Sequence, residues 1–333
     1  MKKILFCGDF TQNAGPANVN KSMIKYLEYE IVDTKQKNKI KIIASFFRKI
    51  FKSDVVVFSC NHRINYTLFL ISKILKKNTV YLMHGYKKFE ASENKLKNSD
   101  RIIKLEEKVL KKVDLIITVS KLYKDKMIEI LPHISKKIDY ISNGFDENNY
   151  ENIIKCKARN KNNIIAVCGS NRKTKNNDIV CKAVNELNLE GYECKLEIYG
   201  LEYEGLEKLP EGENIHNNGR IPQKELFNAL SNSRLFILNC TFESFGLSVI
   251  DALMCGCNVL VSKNAGVTSI LDLSEDDIIE NPKNITELKE KIKINLKNDN
   301  NERILEKFNF EEYNWKNVAK RFDNIISKFF KLI

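Results

Sequence analysis

The sequence predicts an α/β chain of two doubly wound halves, each a parallel sheet covered by helices. Three observations predict it. Short apolar runs (VVVF, LIIT, IIAV, FIL, VLV) have the length and composition of strands buried on both faces. They alternate with segments whose apolar residues recur at helical spacing, the pattern that builds parallel sheets from βα units. The length, 333 residues, suits about two domains of ~150 residues. The polar, aperiodic stretch ENIIKCKARNKNN, residues 151–163, reads as the linker between them.

The elements follow in order. KKILFCGDF is a buried strand, too short in its apolar part for a signal peptide and followed at once by Asp9. TQNAGPANVNKSMIKYL is then a loop bracketed by Gly8 and Gly15 and a helix, with Asn18 or Asn20 as candidate caps. Residues 39–53 place apolar side chains at 42, 43, 46, 47, 50 and 51 and bases at 41, 48, 49 and 52. That is a basic amphipathic helix, suited to packing on a sheet or to lying on a membrane surface. DVVVFSC is a strand and INYTLFLISKILKK a helix. NTVYLMHGYKK is a strand ending at His84-Gly85, where ligands gather in α/β sheets; neutral imidazole can donate to or accept from a hydroxyl at pH 7. A charged, largely helical segment follows, then VDLIITVS with Ser120 as helix cap, and an Asn143-Gly144 turn.

The second half opens with the strand NIIAVC, then Gly169 and a basic loop carrying Arg172, Lys173 and Lys175. Such donors at a strand end can neutralise an anion, although a solvated basic loop would look the same. CKLEIYG is the next strand, NIHNNGR holds a short one, and a Pro-started helix leads to FIL. Glu243 lies in the loop beyond that strand. Gly246 opens a short helix with apolar Leu247, Ile250, Leu253 and Met254, Gly256 ends it, and VLV is the next strand. The helix start offers backbone N–H groups to a phosphate. Glu243 and Asp251 could accept from sugar hydroxyls, or be the acids that helix starts favour anyway. Two amphipathic helices close the chain, the last begun by its single tryptophan, Trp315.

Composition narrows the function classes. Hydrophobic residues make up 43% and charged residues 29%, enough for globular cores, and no run approaches the ~18 apolar residues of a membrane span. A cytoplasmic protein is expected. Nine cysteines, an odd count scattered through apolar segments, fit reduced core residues. Cys255 and Cys257 flank Gly256 without a second Cys or His pair, so no zinc site is expected. The net charge of +12 is uneven: residues 1–160 hold 32 bases against 17 acids, and the remainder 23 against 26. An anionic partner is expected for the first half only, and the lack of a recognition module argues against nucleic acid.

The string ESFGLSVIDALMCGCNVLVSKNAG resembles the donor-site signature of retaining GT-B glycosyltransferases, above all family 4, through Glu243, Phe245, Gly246, Ala252, Gly256, Val259 and Gly266. Asp251 stands where a second Glu is usual, Asn258 where Pro is usual, and Ser170 where Arg is usual. The resemblance covers nearly the whole chain and is densest over residues 164–271. It implies two Rossmann-like domains facing a cleft, with an acceptor-binding domain (1–155), a sugar-nucleotide domain (156–308) and a C-terminal helix (309–333) returning to the first. It further implies catalytic roles for His84, Glu243, Lys175 and Arg172. Donor contacts are implied for Gly15, Gly169, Ser244, Phe245, Gly246, Leu247 and Asp251, and proximity to the nucleotide base for residues 219–221. Cofactors are not expected: there is no Asp-x-Asp in a strand-end loop to hold a metal, and the nucleotide-sugar, UDP-sugar favoured, is the substrate. The expected activity is hexosyl transfer to a glycan or lipid-linked acceptor in surface polysaccharide synthesis, at the inner face of the cell membrane. A sugar-nucleotide epimerase on the same frame is the alternative, and a nucleic-acid-binding protein a more distant one.

Overall fold

The computed structural model describes residues 3–12, 15–59, 62–93, 100–146, 163–202 and 206–332. The expected boundary at 155–156, and all but the last residue of the expected linker, lie outside them. The chain forms two compact units, one of Met1–Asp146 with Phe310–Ile333, the other of Glu147–Asn309.

Each unit is built on a six-stranded sheet whose paired strands are all parallel. The first contains β1 (Ile4–Gly8), β2 (Glu30–Asp33), β3 (Val55–Ser59), β4 (Asn78–Met83), β5 (Leu115–Thr118) and β6 (Ile138–Tyr140) in the order β2-β1-β3-β4-β5-β6. The second contains β7 (Ile164–Cys168), β8 (Lys195–Tyr199), β9 (Ile215–Asn217), β10 (Leu235–Leu238), β11 (Asn258–Ser262) and β12 (Ile278–Ile279) in the order β12-β11-β10-β7-β8-β9. Helices cover the strands, so β1, β3 and β11 are buried along their whole length, as their unbroken apolar runs require. The strand order reverses between β1 and β3 in one unit and between β7 and β10 in the other. At such a switch point the flanking loops part and leave a crevice at the carboxyl ends. This is the GT-B architecture of two doubly wound α/β domains.

Local chemistry sets the element ends. Asn38, Ser120, Asn284 and Asn314 each cap a helix by accepting first-turn N–H groups. The first helix, Gly15–Ile24, begins earlier than Asn18 or Asn20 would set it. Asn20 is instead buried within it, its side chain turned to the sheet edge. The last helix, Trp315–Phe329, packs in the first unit: Phe322 meets Phe6 at 6.5 Å between ring centroids, and Tyr29 donates to Asp323 at 2.6 Å. Among the described residues no helix is long and apolar enough to cross a membrane, and the described cysteines are free.

Asn258 organises the far edge of the second unit. Its Oδ1 accepts from the N–H groups of Asn300 and Asn301 at 3.0 and 3.3 Å, and its Nδ2 donates to the carbonyls of Asn295 and Asn298 at 2.7 and 2.8 Å. All this lies in buried or half-buried surroundings, where an orphaned backbone group costs its full desolvation. Asn258→Ala is therefore expected to destabilise the unit by about 2–3 kcal/mol, lowering the melting midpoint followed by circular dichroism by about 5 °C or more.

Candidate functional site

The second unit's switch point carries a built polar site. After β7 the backbone turns through Gly169 (φ +103°) and the fully buried Ser170 (φ +47°) into a 3₁₀ turn, Lys173–Lys175. A Cβ on Gly169 would lie 2.7 Å from Lys175 Cγ and 3.1 Å from Arg172 Nη2, so only glycine lets both cationic side chains cross the strand end. Lys175 is 5% exposed, and its ammonium forms an ion pair with Glu243 Oε2. The loops after β7 and β10 are also sewn together by neutral bonds. Asn176 Nδ2 donates to the Asn239 carbonyl and to Thr241 Oγ1, both at 3.0 Å, and the Thr241 N–H donates to the Thr174 carbonyl at 2.8 Å.

Glu243 is fixed on every side. Its N–H donates to the Asn264 carbonyl at 3.1 Å and its own carbonyl accepts from Gly266 at 3.0 Å, a one-residue bridge to the loop after β11. Burial works to raise its pKa. The Lys175 charge and hydrogen bond, the Arg172 guanidinium and the Phe245 N–H outweigh burial and hold the carboxyl below its usual range. At neutral pH Glu243 is thus ionised, an acceptor unable to act as a general acid. Gly246 (φ +102°) then turns the chain into the helix Leu247–Met254. No side chain caps that helix, which leaves first-turn N–H groups for an anion. A side chain at Gly246 would press on Leu238 at 3.0 Å. Asp251, on the same helix and partly buried, lies near enough to β7 for its charge to act on the Cys168 thiol. That thiol is pushed up to about 12, chiefly by burial. Beside these groups is a cavity of about 290 Å³ lined by Cys168, Gly169, Arg172, Tyr199, Gly200, Leu201, Arg220, Ile221 and Leu226.

The structure therefore gathers Gly169, Arg172, Lys175, Glu243, Ser244, Phe245, Gly246, Leu247 and Asp251 on the carboxyl edge of one sheet. Gly15 and His84 lie on the corresponding edge of the other, after β1 and β4. There Asn20 Nδ2 donates to the Asp9 carbonyl at 3.1 Å, which turns Asn20 Oδ1 toward Ser59 Oγ at 2.8 Å. Ser59 must supply the proton of that contact, so it accepts from His84 Nε2 at 3.0 Å, and Nδ1 of His84 is left as an acceptor. Burial, aided by Lys87, lowers the His84 pKa to about 4, so the ring is neutral at pH 7. His62, which the sequence reading passed over, is also held to about 4, mainly by burial, and contacts Thr34 Oγ1 at 3.3 Å. A polar residue just past a buried strand was the only sequence signal for His62. Among the described residues no three His, Cys, Asp or Glu side chains are grouped to hold a metal ion.

Two parallel α/β units of this topology, one with an anion-receptive switch point, are the GT-B fold, and sequence comparison fixes the family. The model of Glycosyl transferases group 1 matches residues 149–327, over half of the chain, and the protein belongs to this family. It is 25% identical over 263 residues to a probable sucrose-phosphate synthase of Thermosipho melanesiensis, 73% of this chain but 61% of the relative, so it spans about three fifths of that protein. Among solved structures it superposes on a sucrose-phosphate synthase from Thermosynechococcus elongatus with a TM-score of 0.72 at 12% identity, each chain covered completely. Anabaena HepE in complex with UDP-glucose gives 0.71 at 15% identity, covering 98% of this chain and 100% of that one. WaaG, a glycosyltransferase involved in lipopolysaccharide biosynthesis, gives 0.62 at 13%, covering 97% and 99%.

The ion pair makes a separable prediction. Lys175→Met strands a largely buried carboxylate, whose pKa then rises above its unfolded value. The loss of stability, about 1–3 kcal/mol once partial exposure is discounted, is expected at neutral pH and shrinks as the pH falls and Glu243 is protonated in both states. Urea unfolding at pH 7.5 and 4.5, with the Lys175→Met/Glu243→Gln double variant recovering stability at the higher pH, checks it.

Proposed function

We propose that the protein is a retaining, family 4-like glycosyltransferase that moves a hexosyl group from a nucleotide-sugar, UDP-sugar favoured, to a glycan or lipid-linked glycan in surface polysaccharide synthesis. The observation that carries the donor half is the Lys175–Glu243 pair beside an uncapped helix start at a switch point. The diphosphate lies against the Leu247–Met254 helix start, neutralised by Arg172 and by the two ammonium hydrogens that Lys175 does not give to Glu243. Glu243 accepts from a hydroxyl of the donor sugar, oriented by Lys175 and the Phe245 N–H; that tethering suits it to orientation rather than attack. Asp251 takes ribose hydroxyls, and the base enters the cavity beside Arg220 and Ile221. His84, neutral with a free Nδ1 acceptor, meets a hydroxyl of the reacting sugar. UDP is favoured because HepE, alike in fold, was solved with UDP and with UDP-glucose. The sucrose-phosphate synthase likeness supports a second reading, in which the acceptor is a phosphorylated sugar.

The basic first unit supports a membrane-surface acceptor. On the helix Lys39–Ile50, Ile42, Phe46 and Ile50 form the buried stripe, while Ile40 and Phe47 lie on a second stripe that continues to Phe51. Those three are 79%, 40% and 65% exposed, among the exposed bases Lys35, Lys37, Lys39, Lys41, Arg48 and Lys52. Apolar side chains framed by cations suit an anionic lipid interface.

UDP is expected to raise the melting midpoint, and Lys175→Met to weaken UDP binding about tenfold or more. Glu243→Gln is expected to keep UDP affinity within a few-fold while cutting turnover about a hundredfold. Turnover that needs no acceptor would point to an epimerase, and transfer to sugar phosphates but not to lipid-linked glycans would select the second reading. Vesicles containing anionic lipid should retain the protein at low salt and release the Phe47→Ser/Phe51→Ser variant.

A further inference from the structure

The loop that carries His84 is held from beneath by a carboxylate with no place in the chemistry above. Glu106, on the helix Asp100–Lys112, is fully buried. Its Oε1 accepts from the Tyr81 hydroxyl at 2.6 Å, and its Oε2 from the backbone N–H of Lys87 at 2.8 Å. Tyr81 lies on β4 three residues before His84, and Lys87 stands three residues after it, at the start of the helix Lys87–Glu93. One side chain therefore bridges both sides of the turn between strand and helix, with His84 at its centre. A second carboxylate bears on the same turn. Glu90 lies against Gly85, where a Cβ would come within 1.8 Å of its Oε1, and it is tied to Lys87 Nζ at 2.8 Å.

We propose that Glu106 is a positioning residue for His84, clamping residues 81–87 so that the imidazole keeps its Nε2–H on Ser59 and its Nδ1 toward substrate. This rests on the role proposed for His84. A buried carboxylate is an expensive way to fill a core. Burial lifts the Glu106 carboxyl to about 7, against the opposing hydrogen bonds from Tyr81 and Lys87. A leucine would fill the space without that cost, but it would leave the Tyr81 hydroxyl and the Lys87 N–H without this acceptor. The groups facing Glu106 are Tyr81 from β4, Tyr86, Lys87 and Glu90 from the turn and its helix, and Tyr123 from the helix Lys121–Ile130. Lys87 is the one cation among these, and its backbone N–H already reaches the carboxylate. A glutamine can replace the clamp: its amide oxygen accepts from Lys87, and its NH₂ donates to the Tyr81 oxygen.

The protein has four histidines, and two of them, His84 and His62, are held neutral in the same unit. Histidine NMR titration of the full chain can therefore read His84 with His62 as internal control. In Glu106→Leu the His84 midpoint is expected to rise by about one unit or more as the ring loosens into water, with His62 unmoved. In Glu106→Gln both should stay as in wild type. Turnover in Glu106→Leu should fall about tenfold or more with donor KM within about twofold, and Glu106→Gln should restore it. His62 moving with His84, or His84 unmoved in the leucine variant, overturns the proposal. Full activity in His84→Ala would overturn the role of His84 itself and leave the NMR comparison to judge the clamp separately.

Discussion

A lysine ammonium and a glutamate carboxylate 68 residues apart meet because β7 and β10 are neighbours in the sheet. Their pairing is the constraint that the second unit's site depends on. Each charge loses hydration there, and the other is its main replacement, with Arg172 and the Phe245 N–H adding to the hold on Glu243. The neutral bonds of Asn176 and Thr241 keep the two loops in register, so the pair need not do that work itself. Gly169 and Gly246 are the backbone's share, one clearing the strand end for the cations, the other bending the chain so that a helix starts at the crevice.

Much of this was legible in sequence, for a physical reason. Central strands of a parallel sheet are apolar on both faces, so β3, β7, β10 and β11 stand out as unbroken runs. The strands the reading did not separate, β2, β6 and β12, are all edge strands, with two to four residues and a burial pattern that mixes exposed or half-buried positions with buried ones. An edge strand has less apolar surface to declare itself by. Glu243, Lys175 and Gly246 were legible through spacing and resemblance; that Lys175 pairs with Glu243 was not, because strand order is absent from local sequence. Asn20 looked like a cap because Asn favours caps. Its tertiary partners, Ser59 and the Asp9 carbonyl, override that preference.

The departures from the family signature are local solutions. At position 258 proline would remove an N–H that here donates to the Arg234 carbonyl at 3.0 Å. Asparagine keeps that bond and adds the side-chain contacts that seat the segment 295–301. At position 170 the fully buried serine leaves no room for a long cation. Arg172, two residues on, turns back so that its Nε points to the Gly169 carbonyl at 3.5 Å, and it lines the cavity. The positive charge is thus returned to the strand end from a different position.

The two sheet edges are chemically unlike. The second unit's edge is charged: an ion pair, a guanidinium and a helix start, suited to an anion whose charge grows as a bond to it breaks. The first unit's edge is built mainly of uncharged groups, Asn20, Ser59, Thr34 and two histidines held to about 4, beside the buried Asp9, whose carboxylate accepts from the Thr11 and Gln12 N–H groups of its own loop. Donor and acceptor directions there are set by a fixed chain of hydrogen bonds rather than by charge, the arrangement that reads hydroxyl groups. Two bases of residues 1–160, Lys35 and Lys87, act on those histidines. Six bases, Lys35 among them, stand exposed along residues 35–52 beside Ile40, Phe47 and Phe51. Charge that serves no buried pair and frames exposed apolar side chains is what the proposed contact with an anionic lipid surface would use.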